Sequence, residues 1–343
     1  MKKMIGAVLG VILSAAGVAR AEEKVLDLFA WSEYVPTAVI EGFEKETGIK
    51  VNYTDYDSNE TMLGKLLGGG SNYDLIQPST YVIEALVKAK KLEPLDHAKL
   101  SNLKNIDPAF LNLAHDPGNK YSVPWMAGTV GIVVNTEKVK DDIKGYKDVF
   151  QEKHKGRIVA LDDGREWVAW VLNAQGKDVN DITPEVLEQV RPTLAQWMKL
   201  VKVYDSDSPK TALTGGDVDL GLVWSGEGAI LWREDKEKFK WVLPAEGVDQ
   251  FVDSLAIPAG AKHPEAAHAF INYILRPEVS KLISEEFPYT NPNAEARKLL
   301  SEEDLANPAS YPKPPLPPMR NFTDIGAAAA DIDALFTDLK SAQ

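Results

Sequence analysis

The sequence predicts an α/β protein of two lobes. Three observations carry that expectation: a chain too long for one core, two successive series of alternating strand-like and helix-like segments, and segments that cross back between them. About 320 residues follow the N-terminal leader, more than one hydrophobic core usually organises.

The leader itself is read from its ends. Lys2 and Lys3 precede a charge-free run from Met4 to Val18, and Ala19-Arg20-Ala21 supplies a small-x-small cleavage site. This pattern predicts a signal peptide over residues 1–21, with the mature chain starting near Glu22. The run is too short for a membrane span, and no later stretch approaches the ~18 apolar residues a bilayer requires, so a soluble mature protein is expected. The chain has no cysteine. That excludes a disulfide framework, a thiolate metal site and a lipid-modified cysteine, and favours free diffusion in a periplasm. The net charge is -13; the leader holds three cations and no acid, so its removal takes the balance to -16. Such a balance argues against nucleic acid as a partner; it can steer a cationic ligand, although solubility alone explains such a charge in many proteins.

In the first series, Val25 to Trp31 reads as a buried strand, and Pro36 opens a helix that Gly48 stops. Ile49 to Tyr56 alternates like a strand, Glu60 to Leu67 is helical, Tyr73 to Gln77 is a third strand, and Tyr81 to Lys90 a third helix. Right-handed crossovers make these strands parallel, so their carboxyl ends share one edge of the sheet, where ligands of open α/β sheets bind. Topology alone thus brings Trp31-Ser32-Glu33-Tyr34 together with Pro78-Ser79-Thr80-Tyr81.

The second series runs through a strand at Gly131 to Asn135, a helix at Tyr146 to Lys153, a strand at Arg157 to Asp162 and a helix at Arg165 to Gln175. Pro184 to Tyr204 reads as helical and Val218 to Trp224 as a strand, which puts Asp163, Glu166 and Trp224 at the edge of a second sheet. Phe251 to Pro258 is a further strand, His263 to Phe287 one long helix, Pro308 to Pro318 a surface connector and Ile325 to Leu339 a last helix. Crossings near Ala127-Gly128-Thr129, Asp253-Ser254 and Pro292 would make a hinge.

Trp31 and Trp224 in post-strand loops suit an aromatic wall, which packs methylene groups and attracts ammonium groups at ~0.5–2 kcal/mol each. Lobe packing is the competing explanation. Asp163, Glu166 and Asp253 sit at strand ends, where a carboxylate can hold an ammonium or cap a helix. No nucleophile elbow, H-E-x-x-H or phosphate loop is present, and Gly68-Gly69-Gly70 lacks a following lysine and reads as a turn. Paired carboxylates leave a secreted glycoside hydrolase as the enzymatic alternative. His263 and His268 stand five apart, off a common helix face, so no metal site is expected, and no cofactor either.

Four motifs carry a resemblance over nearly the whole mature chain: Trp31-Ser-Glu-Tyr-Val-Pro36, Tyr73-Asp-Leu-Ile-Gln-Pro-Ser-Thr-Tyr81, Asp162-Asp-Gly-Arg-Glu166 and Asp253-Ser-Leu-Ala-Ile-Pro258. With them the chain resembles the spermidine/putrescine-binding proteins of bacterial ABC importers. The resemblance implies a type II periplasmic binding fold, with lobe 1 over residues 22–127 and 253–297 and lobe 2 over 128–252 and 298–343. It implies that Trp31, Tyr34 and Trp224 line the slot, that Ser32, Ser79 and Tyr81 add polar contacts, and that Asp163, Glu166 and Asp253 hold ammonium groups beside Tyr289. Phe251 and Glu227 resemble the putrescine-preferring branch, and Phe322 stands where spermidine binders carry glutamine. The implied protein is a monomeric, non-catalytic polyamine carrier that meets an inner-membrane ABC permease. A binder of another solute is the alternative reading.

Overall fold

The computed structural model describes residues 24–56, 58–68 and 72–342, so the predicted leader and residues 69 and 70 of the glycine turn lie outside the described residues. Among the described residues ten strands follow in chain order: β1 (Val25–Trp31), β2 (Lys50–Tyr56), β3 (Leu75–Ile76), β4 (Ser122–Asn135), β5 (Ile158–Ala160), β6 (Val201–Tyr204), β7 (Leu220–Trp224), β8 (Phe239–Val242), β9 (Val248–Ala256) and β10 (Met319–Arg320). They join in the order β2-β1-β3-β9-β4-β7-β5-β6, with β10 on β9 and β8 on β4.

β1 pairs in parallel with β2 and β3, and β5 pairs in parallel with β6 and β7. Between these two parallel groups run β4 and β9, antiparallel to each other and long enough to enter both. Val123, Trp125 and Met126 of β4 join the core built on Leu28, Phe43, Ile83 and Phe270, whereas Val130, Ile132 and Val134 join the core built on Trp167, Trp170 and Leu222. Val133 and Val223 alternate to the opposite face, where they cluster with Phe239 and Trp241 of the neighbouring strand and with Leu213, Ala229 and Leu231. A strand's period of two thus gives the second sheet a packed layer on each side. The ladder between β4 and β9 is interrupted between Pro124 and Met126, as expected where a proline withholds a donor.

The first helix, Thr37–Thr47, starts after Pro36 and ends at Gly48, whose φ of 67° is the left-handed conformation that glycine adopts without a Cβ clash. Several predicted elements are corrected: the strand expected from Gly131 begins at Ser122, and the helix expected over Tyr146 to Lys153 ends at Val149. The helix expected over Pro184 to Tyr204 stops at Met198, and the β-branched alternation of Val201-Lys-Val-Tyr204 forms β6 instead. The helix expected over His263 to Phe287 is two, Pro264–Ile274 and Pro277–Glu286; Arg276 turns extended (ψ 136°) ahead of Pro277, which cannot continue a helix. The strand expected from Phe251 begins three residues earlier, at Val248.

Candidate functional site

The carboxyl ends of β1, β5 and β7 and the middle of β9 surround a cavity. Every candidate binding residue named from the sequence lines it: Trp31, Ser32, Tyr34, Ser79, Tyr81, Asp163, Glu166, Trp224, Glu227, Phe251, Asp253 and Tyr289. Phe322 lines it as well.

Seven rings form the walls. Trp31 and Trp224 end β1 and β7, and their ring centroids stand 6.3 Å apart at 60°. Phe251 meets Trp224 edge-on at 5.7 Å, and Tyr289 lies 4.9 Å from Tyr34. The Trp224 indole N–H donates to Ser206 O at 2.9 Å, which fixes the ring against rotation. A Cβ on Gly226 would lie 2.3 Å from the Tyr289 ring, so only glycine lets that wall approach the backbone. Tyr81 contacts Phe322 edge-on at 6.1 Å, and the Arg165 guanidinium covers the Phe322 ring at 4.7 Å.

Carboxylates form two poles. At one, Asp253 is 2% exposed and accepts from Ser79 Oγ at 2.6 Å and from Tyr34 Oη at 2.9 Å. Burial pushes its carboxyl up to about 6, a rise that the hydrogen bonds from those two donors limit. At the other pole stand Asp163, Glu166 and Asp249. Asp163 caps the helix Gly164–Ala174, accepting from Glu166 N at 3.0 Å, and desolvation together with the nearby Glu60 charge raises it to about 7. Glu166 does not turn back as a capping box; its carboxyl accepts from Trp170 Nε1 at 3.1 Å and hydrogen-bonds Asp249. Burial and the Asp249 charge raise Glu166 well above the usual carboxylate range, and burial raises Asp249 to about 7. Asp249 Oδ1 is buried without a hydrogen-bond partner. Among the described residues, no lysine or arginine forms an ion pair with any of these four carboxylates.

Glu227 differs. It lines the same cavity, but Lys210 Nζ already holds its carboxylate at 3.0 Å. Sequence reasoning missed Lys210, Asp249, Asn59, Ser206 and Asp207. Asp249 carried a legible signal, since Asp249, Phe251 and Asp253 alternate along β9 and so share one face. Ser32 Oγ donates to Asp207, joining the β1 loop to the loop after β6 across the cleft mouth.

A second acidic group, Asp27, Asp74 and His263, lies outside this cavity. Asp74 there accepts the backbone N–H groups of Asp27 and His263, and Asn52 donates to Asp27, so these side chains tie β1 to the segment before the helix Pro264–Ile274.

Two parallel groups of strands, joined by long crossing strands and closing on a cavity at their carboxyl ends, define a two-lobed solute-binding protein of type II topology. The model of the bacterial extracellular solute-binding protein family matches residues 38–313, and the chain belongs to that family. The spermidine/putrescine-binding periplasmic protein of Escherichia coli (strain K12) is 36% identical over 99% of this chain and 99% of its own length. The putrescine-binding periplasmic protein PotF of the same organism is 36% identical, over 91% of this chain and 90% of its own. A solved structure from Listeria monocytogenes, described as a spermidine/putrescine ABC transporter, superposes with a TM-score of 0.90 at 34% identity, covering 93% of this chain and 100% of that one. Relatives named in this way are periplasmic binding proteins.

Proposed function

We propose that this protein captures polyamines, spermidine and putrescine among them, in the interlobe cavity and delivers them from the periplasm to an inner-membrane ABC permease, acting as a monomer. One observation carries the reading: Asp253, Glu166 and Asp249 are buried between aromatic walls with no cation of the protein paired to them. A buried carboxylate without a counter-ion is costly, and an ammonium from the ligand relieves that cost at both poles. The methylene chain between ammonium groups suits a wall built from the Trp31 and Trp224 indoles, against which it packs. In this reading the lobes divide at residues 127/128 and 252/253, inside β4 and β9, and again near 297/298. No covalent chemistry is required.

The poles make binding proton-linked. Asp253 (about 6) and Asp163 and Asp249 (about 7) retain protons in the empty protein that a bound ammonium expels. Around them lie Glu60, Arg165, Tyr34, Tyr81 and Tyr146, of which only Arg165 is a cation. The native state therefore binds more protons than the unfolded chain between about pH 4 and 7, so the stability of the empty protein falls as pH rises through that window. Ligand affinity moves oppositely. Calorimetric titration with spermidine and putrescine is expected to show affinity rising about tenfold or more from pH 5.5 to 8, with protons released into the buffer. No heat with any polyamine, beside binding of an amino acid or sulfate, would reject the reading.

A further inference from the structure

Glu33 and Glu227 face each other across the cleft from opposite lobes, and a lysine of the protein stands between them. Lys210 Nζ donates to Glu33 Oε2 at 2.6 Å, to Ser208 Oγ at 2.8 Å, and to Glu227 Oε1 and Oε2 at 3.0 and 3.1 Å. The Lys210 backbone N–H also donates to Glu227 Oε2 at 3.3 Å. An ammonium has three donors, and here two carboxylates and a hydroxyl take all three. Glu227 is 4% exposed, so its charge needs such a partner.

This is the environment in which a ligand's terminal ammonium would be held, filled by the protein's own cation. Resting on the polyamine reading above, we propose that Lys210 is a specificity-determining residue whose ammonium occupies the Glu33–Glu227 subsite and denies it to the ligand. Bound polyamines then place their cations at Asp253 and at the Asp163–Glu166–Asp249 pole only. A further ligand cation reaching toward Glu227 meets a like charge, which selects against a tetraamine relative to a triamine.

The test compares wild type with Lys210→Met, which keeps the apolar stem, and Lys210→Gln, which keeps a neutral donor to Glu227 and guards against a folding defect in the first variant. Calorimetry with putrescine, spermidine and spermine, alongside thermal unfolding without ligand, reads the outcome. The ratio of spermine to spermidine affinity rises about tenfold or more in both variants, because the vacated pair of carboxylates accepts one more charge-assisted contact. Lys210→Met combined with Glu227→Gln abolishes the gain. A ratio within about threefold of wild type in both variants overturns the proposal, as does a gain that survives in the double variant. Wild type that binds no polyamine rejects the polyamine reading itself, whereas wild type that binds spermidine with an unchanged ratio in the variants rejects only the role of Lys210.

Discussion

Asp253→Asn lowers the affinity for every polyamine by about a hundredfold or more. The substitution keeps the side-chain volume and one acceptor for Ser79 or Tyr34, so the wall stays in place, but it removes the charge that faces the ligand's ammonium. Losing one partner of a buried charged pair costs about 2–5 kcal/mol, mostly because the remaining charge stays desolvated and unpaired. The empty protein should not lose stability above pH 7, since the variant removes a carboxylate whose burial already disfavours its ionised form. Thermal unfolding without ligand therefore separates a binding defect from a folding defect. Affinity within about threefold of wild type for both spermidine and putrescine would take Asp253 out of the site.

Glu166→Gln and Asp249→Asn, made singly, have the second largest effect, and it is selective. Both side chains belong to the pole remote from Ser79 and Tyr34, where a triamine has one more ammonium to place than a diamine has. Each substitution removes a charged acceptor and leaves a neutral amide beside the two remaining carboxyls of the pole. Spermidine affinity should fall at least tenfold further than putrescine affinity, as expected for a charged hydrogen bond worth about 1.5–3 kcal/mol. Calorimetry with the two ligands side by side reads the difference. An equal loss for both would assign the pole to a cation that the two ligands share.

Much of this geometry is legible in the sequence because it follows from topology. Parallel strands joined by helices bring every carboxyl end to one edge, so Trp31, Ser79 and Asp163 converge although they are far apart along the chain. What escaped was hidden by local ambiguity. Val201-Lys-Val-Tyr204 follows the helix Pro184–Met198 with no glycine or proline to mark a break, and reading it as helix concealed a strand. The loop after that strand carries Ser206 and Asp207 and leads to Lys210 at the start of the next helix, and all three reach the cleft because β6 runs parallel to β5. Starting β9 at Phe251 likewise left Asp249 outside the strand, although alternation from Asp253 would have placed it on the cavity face. Glu227 was legible as a cavity residue, but its ion pair was not, because Lys210 stands 17 residues away on a different element.

The account turns on where the ligand's cations sit. A crystal structure with spermidine bound tests that directly. It should show one ammonium within hydrogen-bond distance, about 2.7–3.2 Å, of an Asp253 oxygen, another within the same distance of Glu166 or Asp249, and the methylene chain packed against the Trp31 and Trp224 indoles. Spermidine found outside this cavity, or lying in it with Asp253, Glu166 and Asp249 all uncontacted, would contradict the account.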